Sequence, residues 1–100
     1  MSEPKEYPAL TVRRGEKFKI ELQSNPSTGY RWQLVFFNKS ILKHLSSEFA
    51  PKTINQIGTA GIQRFKFEAT KEGTTIIKLI YKRPWERETK KAVEYFVNVL

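Results

Sequence analysis

Three features of the 100-residue sequence predict an all-β domain, either a sandwich or a barrel. Apolar residues recur at every second position, the alternating stretches are short, and turn residues separate them at regular spacing. Such alternation places one set of side chains in a core and the other in water.

In chain order, Ala9 to Val12 is a weak strand candidate, and Arg14-Gly15-Glu16 turns it into a clearer one. There Phe18, Ile20 and Leu22 alternate with Lys17, Lys19, Glu21 and Gln23. Tyr30, Trp32, Leu34 and Phe36 form a third inward set around Arg31 and Gln33, so Trp32 reads as core. From Asn38 to Ser47, Ile41, Leu42 and Leu45 stand at helical spacing and predict a short helix or turn. A weak strand is expected around Phe49 to Ile54. Phe65 and Phe67 then alternate with Arg64, Lys66 and Glu68, and Lys71-Glu72-Gly73 turns the chain again. Thr75, Ile77, Leu79 and Tyr81 make one face of the next strand, with Ile76 and Ile80 on the other. Val93, Tyr95, Val97 and Val99 complete the pattern.

At this length one domain, residues 1–100, is expected, with roughly 65% of the unfolded chain's surface buried on folding. Thirteen aromatic residues are available to fill the core. The chain has no cysteine, which excludes disulfides, thiolate metal sites and a cysteine nucleophile. All ten acidic residues are glutamate and His44 is the single histidine, so no Ser-His-Asp triad can be assembled. His44, in the expected helical turn, reads as a surface or boundary residue. We expect no catalytic residue, no metal and no cofactor. Residues 1–8 carry no signal-peptide-like apolar segment, and the longest apolar run, Leu34 to Phe37, is too short to span a bilayer. The chain as written reads as soluble and cytoplasmic, secreted or vesicular only if a leader was removed. Asn38-Lys39-Ser40 matches a glycosylation sequon, which matters only in a secretory pathway.

The net charge of +8 suits an anionic partner, but the cations are spread over nearly every strand. The densest clusters are Lys82-Arg83 and Lys90-Lys91. Most of this charge reads as solvated strand faces. Nucleic-acid binding is the alternative it leaves open.

Two segments carry more turn chemistry than a plain loop needs. In Asn25-Pro26-Ser27-Thr28-Gly29, proline fixes one dihedral, glycine permits a positive one, and the polar side chains can bond nearby backbone. That describes either a pre-ordered binding loop or a well-made structural turn. In Arg83-Pro84-Trp85, a stiff proline stands beside the two residue types most enriched in interface hot spots. Trp85 is expected to be at least partly exposed. A third segment, Gly58-Thr59-Ala60-Gly61, is small and glycine-containing, as a hairpin tip would be. If successive strands alternate in direction, residues 24–29, 55–61 and 83–90 share one end of the sandwich. Loops clustered on a rigid scaffold in this way make a recognition surface.

On these residues the sequence resembles the chagasin family, proteinaceous inhibitors of papain-like cysteine proteases. The family's Asn-Pro-Thr-Thr-Gly-aromatic motif is matched by Asn25 to Tyr30, with Ser27 in place of a threonine. Its Arg-Pro-Trp motif is matched by Arg83, Pro84 and Trp85. The family's glycine-rich middle loop is matched in part, by Gly58 and Gly61. The resemblance covers the whole domain. It implies an immunoglobulin-like β-sandwich of about seven to eight strands; a monomer is expected because the strand faces carry many charges. It also implies tight, reversible, non-covalent blocking of the cleft of cathepsin L-type proteases. By this analogy Asn25, Pro26, Ser27, Thr28 and Gly29 enter the catalytic centre. Arg83, Pro84 and Trp85 pack on one side of the cleft, and Gly58, Thr59, Ala60 and Gly61 lie along the other. The alternatives are a basic β-module for nucleic acid or another protein, and a structural adhesion module.

Overall fold

The computed structural model describes residues 8–51 and 60–100. Seven strands appear among them: β1 (Ala9–Val12), β2 (Lys17–Ser24), β3 (Arg31–Phe36), β4 (Leu42–Pro51), β5 (Gly61–Ala69), β6 (Gly73–Lys82) and β7 (Lys91–Val99). They form two sheets, with order β1-β7-β6-β3 in one and β2-β5-β4 in the other. The architecture is a sandwich, as the resemblance implied. β1 runs parallel to β7, and every other pairing is antiparallel.

The inward residues of the alternating sets form the core. Phe67, Leu42, Ile77, Leu79 and Val97 are fully buried, joined by Ile20, Phe65, Tyr81 and Val99. Phe18, Leu22, Trp32, Leu34, Val93 and Tyr95 pack around them. Each such side chain contributes roughly 1.5–3 kcal/mol when fully buried, so the two apolar faces drive the sheets together. The core lies between the sheets and holds both ends of the sandwich in fixed relation.

Two expectations are revised: of the short helix or turn expected over residues 38–47 only the turn forms, and Phe36 leaves the inward set. Residues 38–47 form no helix. Asn38 accepts from the backbone of Ser40, Ile41 and Leu42, closing a tight turn, and the chain enters β4 directly. The pairing of β4 with β5 along Leu42–Pro51 outweighs a local helical pattern whose spacing came from a register shift between His44 and Ser46. His44 therefore sits half-buried on a strand, 5.2 Å from the Phe67 ring, with Nε2 2.9 Å from Ser47 Oγ. A second shift, between Leu34 and Phe36, turns Phe36 outward to 56% exposure. Phe37 takes its place, its ring 5.6 Å from Phe67. The strand expected over Phe49 to Ile54 is the end of β4 as far as Pro51, and its remainder lies outside the described residues.

Strand direction alternates as expected, and the register shows where the loops meet. Ser24 and Pro51 both pair with Gly61, while Arg31 pairs with Lys82 and Tyr81 with Lys91. The segments following β2, β4 and β6 thus leave the sandwich at one end. A side chain joins the sheets there: the Gln63 carboxamide accepts from the Trp32 N–H at 2.8 Å and donates to the Trp32 carbonyl at 3.1 Å. It occupies the free edge of β3 as a short strand would.

Candidate functional site

The segment between β2 and β3 is ordered by its own side chains. Pro26–Thr28 form a 3-10 turn with Asn25 as N-cap. The Asn25 carboxamide oxygen accepts from the Ser27 hydroxyl at 2.6 Å and from the Ser27 N–H at 3.3 Å. The Thr28 hydroxyl donates to the Asn25 carbonyl at 2.7 Å. Gly29 closes the turn at φ 83°, a conformation costly for any residue with a Cβ. Serine at position 27 keeps the hydroxyl that adds a second bond to the capping oxygen of Asn25, beside the one from its own N–H. The turn is anchored below by the Asn25 N–H, which donates to the Tyr81 hydroxyl at 3.2 Å.

The segment after β6 leans on this turn. Arg83 Nε donates to the Thr28 carbonyl at 2.9 Å, and Arg83 Nη1 bonds Glu86 at 2.9 Å. The Glu86 carboxylate raises the Arg83 pKa above its ordinary value, against the opposing effect of burial. The guanidinium also lies 4.5 Å from the Tyr30 ring centre, and Lys90 Nζ stands at the same distance from that ring. Tyr30 stacks on Tyr81 at 5.3 Å, and Tyr81 meets Trp32 at 4.9 Å. Arg83 thus acts as a brace between two loops. Trp85 is 72% exposed, as expected, and its six-membered ring rests on Gly29. A Cβ at Gly29 would stand 2.5 Å from Trp85 Cη2, so the missing side chain makes room for the indole.

The third segment is described only in part. Gly58 and Thr59 lie outside the described residues. Ala60 is exposed, while Gly61 is buried and paired beside Ser24. The space a Cβ would need at Gly61 is taken by the Phe49 ring and the Ala50 carbonyl. The chain's own Phe49 thus uses the close approach that glycine allows there.

Asn25 to Gly29 and Arg83 to Trp85 therefore form one connected ridge, with Ala60 and Gly61 at its base. Among the described residues, no three His, Cys, Asp or Glu side chains converge to hold a metal. No described helix is long and apolar enough to cross a membrane. Sequence reasoning missed the supporting residues Gln63, Tyr81, Glu86 and Phe49. Tyr81 had a signal, its inward position next to Lys82-Arg83; Gln63 had none, since its role depends on which strand faces it.

The model of the chagasin family peptidase inhibitors matches residues 11–99. The chain belongs to that family. It is similar to amoebiasin-2 of Entamoeba histolytica, 32% identical over 88 residues, covering 87% of this chain and 72% of the relative. It is 31% identical over 80 residues to chagasin of Trypanosoma cruzi, covering 76% and 73% of the two chains. A crystal structure of a cysteine protease inhibitor from Entamoeba histolytica superposes with a TM-score of 0.80 at 30% identity, covering 94% of this chain and 87% of that one. These matches favour the inhibitor reading over the nucleic-acid alternative.

Proposed function

We propose that this chagasin-family cysteine protease inhibitor blocks the cleft of papain-like enzymes with the ridge built from Asn25–Gly29 and Arg83–Trp85. The observation that carries the proposal is the direct brace between the two motifs: Arg83 to Thr28, and Trp85 on Gly29. A wedge that is already ordered loses little entropy on binding. Its proline-led 3-10 turn presents a compact curved backbone to the cleft, whereas a scissile bond must be held in attack geometry to be cut. Trp85, exposed and held from below, supplies the hot-spot anchor. Ala60 and Gly61 stand at the base of the wedge on the side of the three-stranded sheet, where Gly61 pairs with Ser24.

The test is titration of the domain against papain and a cathepsin L-type protease, with a serine protease as control. Stoichiometric inhibition confined to the cysteine proteases is expected. Trp85→Ala should weaken inhibition about thirtyfold, equivalent to about 2 kcal/mol, with the thermal midpoint unchanged because the indole is outside the core. Equal inhibition by wild type and variant would remove Trp85 from the interface.

A further inference from the structure

Charge is distributed unevenly over the two sheets. On the three-stranded sheet three of the five cations are ion-paired: Arg64 bridges Glu21 and Glu48, Lys66 reaches Glu48, and Lys19 reaches Glu21, while Lys17 and Lys43 lie opposite Glu68 in register. Midway along the four-stranded sheet, Lys78 on β6 faces Glu94 on β7. At the ridge end of that same sheet the matching stops. Arg31 on β3 lies directly across from Lys82 on β6. At the same end of the sheet, Lys90 lies over the Tyr30 ring and Lys91, paired with the inward Tyr81, lies over the Tyr81 ring on the other face. Among the described residues, none of Arg31, Lys82, Arg87, Lys90 and Lys91 has a carboxylate within ion-pair distance.

Residues 82–91 together with Arg31 carry six cations and two carboxylates, a net charge of +4 against +8 for the whole chain. One of the two carboxylates, Glu86, is already engaged by Arg83. Like charges facing each other across a strand pair destabilise a sheet. Lys19 and Lys66 also face each other across β2 and β5, but each reaches a glutamate, whereas among the described residues Arg31 and Lys82, where the wedge leaves the fold, reach none. Local conflicts of this kind concentrate at functional sites.

We propose that this end of the four-stranded sheet is a cationic shoulder to the wedge, and that the proteases inhibited fastest carry carboxylates on the cleft rim that meets Arg31, Lys82, Lys90 and Lys91. The proposal rests on the inhibitor reading and adds the chemistry of the preferred partner. Unpaired surface cations act at a distance and chiefly on encounter, so the shoulder sets the association rate and the wedge sets the dissociation rate.

The arrangement gives two effects of opposite sign. Lys82→Glu places a carboxylate across from Arg31 and converts a repulsive pair into an attractive one. The isolated domain should melt no lower than wild type, while its association with an acidic protease slows. The experiment measures stopped-flow association and dissociation with two papain-family proteases, one of low and one of high isoelectric point, at two salt concentrations. The variants are Lys82→Glu/Lys91→Glu and, as an equal charge change at the opposite end, Lys39→Glu/Lys71→Glu. Shoulder reversal should slow association with the acidic protease about tenfold at low salt, with dissociation changed less than about twofold. The control reversal should have a much smaller effect, and the basic protease should show no such loss. Equal slowing by both double variants would overturn the shoulder in favour of net charge alone. Unchanged association would overturn it outright while leaving the inhibitor reading intact. Wild-type domain inhibiting neither protease would overturn the inhibitor reading and the shoulder with it.

Discussion

Gly29 and Gly15 offer a matched pair for testing how the ridge is built. Both hold left-handed backbone, at φ 83° and 91°. Alanine at either position carries a backbone penalty of roughly 1–2 kcal/mol. At this chain length that lowers the thermal midpoint by about 4–8 °C per kcal/mol. The positions differ in their neighbours. A Cβ at Gly15 meets nothing within 4 Å. At Gly29 it would stand 2.5 Å from Trp85 Cη2 and 3.2 Å from Cζ2. Carbon atoms pack at about 3.5–4.0 Å, so the indole must retreat by about 1 Å or more. Because Trp85 is 72% exposed, it can do so at little cost to stability. Gly29→Ala and Gly15→Ala should therefore lose similar stability. Inhibition should separate them, Gly15→Ala retaining wild-type potency and Gly29→Ala losing about tenfold, near 1.4 kcal/mol. Differential scanning calorimetry and inhibition titrations measure the two quantities. Equal potency in the two variants would refute the claim that Gly29 seats Trp85.

Other outcomes follow from the scaffold. Gln63→Ala frees the Trp32 N–H and carbonyl at the edge of β3. It should cost about 2 kcal/mol and speed amide exchange at Trp32, and unchanged exchange would show that the clip is incidental. Pro26→Gly leaves the capping bonds in place but loosens the turn, so affinity should fall; an unchanged inhibition constant would take preorganisation out of the account. Glu21 and Glu48 are held below the usual carboxylate value of 4.5, chiefly by hydrogen bonds from Arg64. A lowered folded-state pKa contributes stability that is present above the unfolded value and lost as pH falls through the folded one. The gap in thermal midpoint between wild type and Arg64→Met should accordingly shrink from about pH 6 to about pH 3, and a gap independent of pH would refute the linkage.

Much of this protein is legible in its residues. Period-two alternation gives the strands their faces because a strand side chain has only two directions, and β2, β5, β6 and β7 follow it closely. Asn25 to Gly29 and Arg83 to Trp85 announce themselves because their residue types act locally, through a fixed proline dihedral, a permitted positive φ and a short-range cap. Only the tertiary structure decides the bulges. Whether Phe36 or Phe37 faces inward, and whether residues 42–47 form strand or helix, depends on pairing with partners far along the chain. It also decides what each site residue does. Gly61 shelters Phe49, Arg83 braces Thr28, and Gln63 closes the edge of β3. The physical reason is range: dihedral preference and alternation act within a few residues, whereas these contacts join positions that become neighbours only when the two sheets close on a common core.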